Sequence, residues 1–595
     1  KTLMFTRRDP DYDTIGNTNM QLADLSVGDS FLEDQARSRG SSTSSVGNWD
    51  FFGGWNGEEI RQRRLQQTHG NFTTVDWFFT KYFEGQVNND IAARNKKKGC
   101  CGHVLNMYIA SQAWIVLTLV GVLTALTTSV IHIVVQWILS LRTGLCTMHG
   151  FWIAREVCCL GHITADGCSS FSSWHSVFGA TDSNGRAAYW VDFLMYLFFS
   201  VVAAVLSSWL LCVYSKQAAN SGILELKVIL GGFFMKKFLG IRVLLIKTVG
   251  LALSVGSGLH LGKEGAMIHI ACCYGNILSR FFKKIYNNNI KKLELLSACI
   301  AAGVACAFGA PIGGVLFSLE VVSTYFPAKV MWRALWCAII AMFLVVYIDP
   351  LQTGTQKAVS FQVKYLHTWD WFELPFFAAI GATGGFLGVV FSRVHLAAVR
   401  FRLSNRWLKA HPVTEILLIA LVTGIFNFLN VYVRLGDLEL VDRLFGDCQE
   451  FREVAQRQEE DPTSPDYSVA SALCNTSGGA TLNKLFLVLA TLTKLFGGAF
   501  TVGALIPGGF FLPSLTTGAC LGRVSGWVVQ DWFQTSTPGP GQTCSSGCIY
   551  PGMYAIVGAA AVLGGVTRMS LSLVVIMMEI TGGLTYALTI MMGVL

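Results

Sequence analysis

Long apolar runs constrain this chain more than any other feature of its sequence. Tyr108 to Leu141, Ala187 to Tyr214, Val243 to Leu261, Trp332 to Ile348, Leu374 to Val399 and Met553 to Leu595 are each apolar nearly throughout, and each approaches or exceeds the ~20 residues that cross a bilayer core as helix. Lipid offers no partner to a backbone N–H or C=O, so only helices and closed barrels span it. Barrel strands alternate over about ten residues, and these runs do not alternate. The composition agrees, with only 14% charged residues against about a quarter in soluble domains. The predicted fold class is an all-α polytopic membrane protein.

A net charge of +8 raises the question of a nucleic-acid partner. The basic residues cluster beside apolar runs, at Lys96, Lys97 and Lys98, at Lys236 and Lys237, and at Arg400, Arg402, Arg406 and Lys409. That is the positive-inside pattern of a membrane protein, so the expected partner is the lipid bilayer and not nucleic acid. Several of the 17 cysteines fall in polar loops on the opposite side: Cys146, Cys158, Cys159 and Cys168, then Cys448 and Cys474, then Cys544 and Cys548. Disulfides are expected there, with the pairing open. Asn475-Thr476-Ser477 is a glycosylation sequon on that side, whereas Asn71-Phe72-Thr73 falls in the cytoplasmic segment, so sugar is expected only on Asn475.

Residues 1–70, with the low-complexity stretch Ser38 to Ser45, read as a flexible cytoplasmic segment. No signal peptide is visible before the first apolar run, which must do the targeting. The remainder divides into two membrane halves, 71–350 and 351–595, around a polar patch at Asp349 to Asp370. A faint repeat links Ala301–Glu320 to Ala560–Glu579: each starts in small residues and ends in Glu after an apolar run. Inverted repeats in transporters place a site at the midplane, where broken helices end.

Three breaks in apolar sequence fit that reading. Ser221-Gly222-Ile223-Leu224-Glu225 opens one helical stretch, Gly262-Lys263-Glu264-Gly265 opens a second, and Gly508-Gly509-Phe510-Phe511-Leu512-Pro513 opens a third. Helix N-termini carry unpaired N–H groups and about half a positive charge, so several converging inside a membrane bind an anion. Such a site needs no lysine or arginine, because partial charges hold an ion weakly enough to release it. Glu264 competes for the same positive ends, and protonating it opens the path. Blander readings stand beside these: membrane glycines serve close packing, Ser221 is a helix N-cap, Glu264 pairs with Lys263, and His269, Cys272 and Cys273 pack within one helix. An enzyme is not expected, since Gly256 to Glu264 lacks P-loop spacing and no metal-ligating pattern stands in a catalytic setting.

In this order, SGIxE, GKEG and GGxFxP resemble the anion-site signatures of the CLC chloride channel and transporter family, eukaryotic members in particular. FTTVDW at Phe72 to Trp77, GAPIGGVLFSLE at Gly309 to Glu320 and GGVTRMSLSLVVIMMEITGG at Gly564 to Gly583 extend the likeness. The resemblance implies a homodimer with one pathway per subunit and two inverted-topology halves of partial helices. It implies chloride as the bound ion, with Ser221 and Tyr586 as its hydroxyl ligands. Gly222, Ile223, Gly265, Phe510 and Phe511 then offer backbone, Glu264 is the gate, and Gly262 and Lys263 shape the gate loop. Serine at 221 resembles chloride-selective more than nitrate-selective members.

Two departures bear on mechanism. Leu224 and Ala266 replace family prolines that prearrange helix starts, and Val321 stands where exchanging members carry an inner proton-relay glutamate. Valine holds no proton, and Glu320 before it resembles a structural residue. The expected function is therefore a voltage- and pH-sensitive chloride channel of the plasma membrane or an endomembrane, with a 2Cl⁻/H⁺ exchanger as the alternative. Eukaryotic relatives carry CBS domains beyond the point corresponding to Leu595, and ATP or ADP would enter only through these.

Overall fold

The computed structural model describes residues 68–69, 72–73, 93, 99–147, 150–159, 163–164, 167–179, 186–233, 235, 237–286, 288–348, 369–448, 451, 465–474, 480–533 and 549–595. The chain forms two compact units, Lys1–Gly70 and Asn71–Leu595. The expected flexibility of residues 1–70, Asn475 and the pair Cys544 and Cys548 lie outside the described residues, Thr68–His69 apart.

The second unit is built from helices. In its first part these are α1 (Gly99–Thr143), α2 (Arg186–Tyr214), α3 (Ile223–Leu230), α4 (Ile241–Gly256), α5 (Glu264–Ser279), α6 (Asn289–Phe308), α7 (Pro311–Phe317) and α8 (Ala328–Tyr347). There follow α9 (Leu374–Ser404), α10 (Pro412–Leu429), α11 (Asp437–Phe445), α12 (Ala480–Thr501), α13 (Phe511–Trp532), α14 (Pro551–Thr567), α15 (Leu571–Thr581) and α16 (Ala587–Val594). Among the described residues six helices are long and apolar enough to cross a membrane, and the protein is a multi-pass integral membrane protein. Their lipid-facing residues stay exposed, as Trp190, Phe343 and Phe386 do, while the inner helices bury nearly every side chain, as at Ile268, Ala302, Ala519 and Val557.

Two expected spans come out differently. The expected run Val243 to Leu261 is covered only through Gly256, by helix α4 (Ile241–Gly256), 16 residues or about 24 Å at 1.5 Å per residue, less than the ~30 Å hydrocarbon core. Met553 to Leu595 is three short helices, α14, α15 and α16. Arg568 (φ 58°) and Gly582 (φ 69°) close α14 and α15 in the left-handed region, which ends a helix whatever the hydropathy around it.

The faint repeat is structural. The offset that carries Ala301 to Ala560 carries the left-handed cap Gly309 (φ 71°) to Arg568, and Glu320 to Glu579. Each glutamate caps a helix of the other repeat. Glu320 accepts from Ser570 N and Oγ (both 2.9 Å) and Ser572 N (2.7 Å), at the start of α15. Glu579 accepts from Ile312 N (3.0 Å) and Gly313 N (2.7 Å), at the start of α7. These bonds fill the orphan N–H groups of two helices too short to stand alone.

Among the described residues three disulfides form, outside the long helices. Cys146–Cys158 and Cys159–Cys168 follow the C-terminus of α1, and Cys448–Cys474 follows α11. A short ribbon pairs Gly144–Cys146 with Phe171–Ser173 in the same region.

Candidate functional site

The three breaks meet. Gly262 and Gly509 exchange backbone hydrogen bonds, Gly262 N to Gly509 O at 2.8 Å and Gly509 N to Gly262 O at 2.9 Å, as an isolated antiparallel bridge. That bridge holds the start of α5 beside the start of α13. The first break joins them twice: Asn220 N donates to Ile506 O at 3.0 Å, and Ser221 packs on Gly265 so closely that a Cβ at 265 would stand 2.7 Å from Ser221 Cβ. Residue 265 must therefore be glycine. The same hypothetical Cβ would meet Ile223 Cδ1 at 3.2 Å, so Gly265 is the point where the loop of Ser221, Gly222 and Ile223 touches the gate loop.

Ser221 is not the N-cap of α3. Gly222 occupies that position in the left-handed region (φ 83°), and Ser221 Oγ lies 3.5 Å from Ile223 N, too long for a strong hydrogen bond. Its hydroxyl is left available to a ligand. Phe510 is the N-cap and Phe511 the first residue of α13, so Phe511 and Leu512 present backbone N–H groups at a helix start. Tyr586 ends a short 3₁₀ turn, 5% exposed, in the same buried cluster as Ile223 and Phe511.

Glu264 is the first residue of α5 and 1% exposed. Its carboxylate lies by the backbone N–H groups of Glu264 itself and of Leu512, and its Oε2 has no hydrogen-bond partner. Oε2 lies where a Cβ on residue 262 would stand, so Gly262 makes room for the folded-back side chain. The blander reading, a Glu264–Lys263 salt bridge, does not hold: among the described residues neither takes part in an ion pair. A carboxylate on a helix N-terminus, with no cation bound directly to it, is held by helix-start dipoles and the nearby charge of Lys263.

A lysine stands behind the site. Lys247, fully buried in α4, reaches the back of the first break, where Nζ lies 2.8 Å from Asn220 O, 3.2 Å from Ser221 O and 3.0 Å from His269 Nδ1. Three acceptors match the three donors of an ammonium. His269 Nδ1 then accepts, which leaves Nε2–H to donate to Phe238 O at 3.2 Å. His269 thus does more than pack, because it orients the lysine, whereas Cys272 and Cys273 are buried free thiols. The sequence carried a signal for Lys247: it is the one lysine, arginine or acidic residue inside Val243 to Leu261, and an intramembrane charge is a functional candidate by default.

Glu320 accepts three bonds as a helix cap, and Val321 lies next to it in a short π-helical turn, Ser318–Val322. Leu224 is 76% exposed and Ala266 fully buried. Among the described residues no cluster of His, Cys, Asp or Glu could hold a metal.

Helices that break and restart around a shared buried point, in two repeats that cap each other, define a polytopic membrane protein of CLC architecture. The family model described as voltage gated chloride channel matches residues 203–595, and the chain belongs to that family. H(+)/Cl(-) exchange transporter 3 of Mus musculus is 38% identical over 543 residues, covering 89% of this chain and 65% of the relative. H(+)/Cl(-) exchange transporter 5 of Homo sapiens is 38% identical over 545 residues, covering 88% and 65%. The chain thus spans about two thirds of the length of these relatives. Two solved structures share the fold: a eukaryotic CLC transporter (23% identity, TM-score 0.56, covering 82% of this chain and 71% of that one) and a slow cyanobacterial Cl-/H+ antiporter (18%, 0.57, 81% and 92%).

Proposed function

We propose that this protein is a chloride–proton exchanger, with the anion held where the three breaks meet and Glu264 as the gate. The observation that carries this reading is the position of Glu264. Its carboxylate sits on the helix start at Leu512, beside the Gly262–Gly509 bridge, where a mobile anion would compete for the same N–H groups. Protonation removes its charge and releases the position. One group that either carries a proton or blocks an anion ties the two fluxes together. Ser221 and Tyr586 supply hydroxyls to the ion, Phe510 and Phe511 supply backbone N–H groups, and Lys247 adds a full charge one peptide behind Ser221. The protein acts as a homodimer with one pathway per subunit, in the plasma membrane or an endomembrane, with its disulfide-bearing face on the non-cytoplasmic side.

The relatives named as H(+)/Cl(-) exchange transporters, 38% identical over nearly nine tenths of the chain, support exchange over the channel expected from Val321. Passive conduction remains the second reading, favoured by that valine. The deciding experiment is reconstitution into vesicles with an imposed chloride gradient. Uphill proton movement supports exchange, and chloride flux without it leaves a channel.

A further inference from the structure

A small cavity of about 60 Å³ lies beside the gate loops, lined by Lys263 and Leu512. Its walls include Arg142 near the end of α1, Lys263 and Leu512 from the gate loops, Lys494 from α12, and Asp437 and Glu439 from α11. Arg142 precedes the bridged Cys146 by four residues, which fixes the cavity's side. A water needs only ~10–15 Å³ by this measure, so the space holds a hydrated monatomic ion.

The charges on these walls are not balanced pair by pair. Asp437 takes the ammonium of Lys494, and Glu439 accepts from Gln136 Nε2 at 3.1 Å. Arg142 and Lys263 have no carboxylate partner among the described residues. Arg142 is the sharper case because it is only 3% exposed. Its guanidinium sits 4.5 Å above the Tyr196 ring, Nη2 reaches Arg434 O at 3.5 Å, and Nε and Nη1 have no hydrogen-bond partner. Nη1 lies against Gly258 (φ 77°), where any Cβ would displace it. A buried guanidinium with two idle donors is costly unless something negative joins it. Asn427 Oδ1, also on this cavity and also unpartnered, suits a hydrating water beside such an ion.

We propose that this cavity is an outer anion station, in which Arg142 and Lys263 hold a chloride on the non-cytoplasmic side of Glu264 while the carboxylate occupies the inner position. The inference rests on the exchange reading for its direction of flow, but the binding site stands on the idle donors of Arg142. The station raises the local anion concentration at the gate, so that an ion is at hand when Glu264 is protonated and leaves. Asp437 keeps Lys494 occupied and thereby limits the attraction, so the ion is not trapped.

Two measurements test this. In oriented vesicles, Arg142→Gln is expected to raise the chloride concentration for half-maximal flux from the non-cytoplasmic side by ~10-fold or more, the scale of a lost charge-assisted bond. The cytoplasmic-side value is expected to hold, and Arg142→Lys to restore most of the loss. An unchanged or equally shifted pair of values would overturn the proposal. Independently of flux, crystals of the unaltered protein grown in bromide are expected to show anomalous density within hydrogen-bond reach of Arg142 Nη1. Density at Ser221 with none in the cavity overturns the station and leaves the exchange reading intact, whereas density in the cavity without chloride flux upholds the station and removes that reading.

Discussion

Gly262 and Gly509 hydrogen-bond to each other through both backbone groups, across nearly 250 residues of chain. A residue with a side chain at 262 would collide with the folded Glu264 carboxylate and with Leu512 Cβ at 2.9 Å. The bridge therefore does two things: it aligns two helix starts, and it leaves the space in which a gate can lie.

The first prediction concerns that gate. Glu264→Gln cannot ionise, so the carboxylate no longer competes with an anion for the Leu512 N–H. Chloride flux in reconstituted vesicles is expected to persist at all pH values while proton movement stops. With the native residue, flux rises as pH falls, because protonation is what vacates the position. A mutant whose flux still varies with pH would move the gate elsewhere.

Lys247 offers a second. Lys247→Met removes a cation that contacts the Ser221 carbonyl at 3.2 Å and leaves His269 Nδ1 and two carbonyls without their donor. Calorimetric chloride affinity is expected to fall ~10-fold or more, whereas Lys247→Arg is expected to retain part of it. Equal affinity in Lys247→Met would reduce the residue to a structural clasp.

Tyr586 is buried in the core that also holds Phe511. If its hydroxyl ligates the ion, Tyr586→Phe weakens chloride binding measured by calorimetry while thermal stability stays near native. Unchanged affinity in Tyr586→Phe would mark the ring as packing only.

The reciprocal caps give a stability prediction. Glu320→Gln and Glu579→Gln each weaken charge-assisted bonds to a helix start, at about 1–3 kcal/mol, readable as a lowered melting temperature in detergent. Neither substitution is expected to alter the pH dependence of flux. A changed proton-to-chloride ratio in Glu320→Gln would make this residue a proton carrier and not a cap.

Four of the named runs and the three breaks were legible because bilayer thickness and helix-start chemistry act on local sequence, whereas the spans Pro412–Leu429 and Thr481–Thr501 were not among the named runs. The weak likeness between Ala301–Glu320 and Ala560–Glu579 pointed to a real internal symmetry, since both repeats need a left-handed stop and a terminal glutamate. What could not be read was tertiary. Hydropathy averages Met553 to Leu595 into one run, because what ends the helix at Arg568 is its left-handed backbone, a conformation and not a polarity. Lys247 stood out as a charge in an apolar run, but its role depends on His269 and the Ser221 loop, which only folding brings within reach. The idle donors of Arg142 likewise exist only once Gly258 packs beneath it.

Bromide diffraction from Glu264→Gln crystals tests the central claim most directly, namely that the three breaks form one anion site from which the Glu264 carboxylate excludes the ion. The account predicts anomalous peaks beside Ser221 Oγ and at the Leu512 N–H that the native carboxylate occupies. Absence of any peak within reach of Ser221, Gly265 and Phe511 would contradict it.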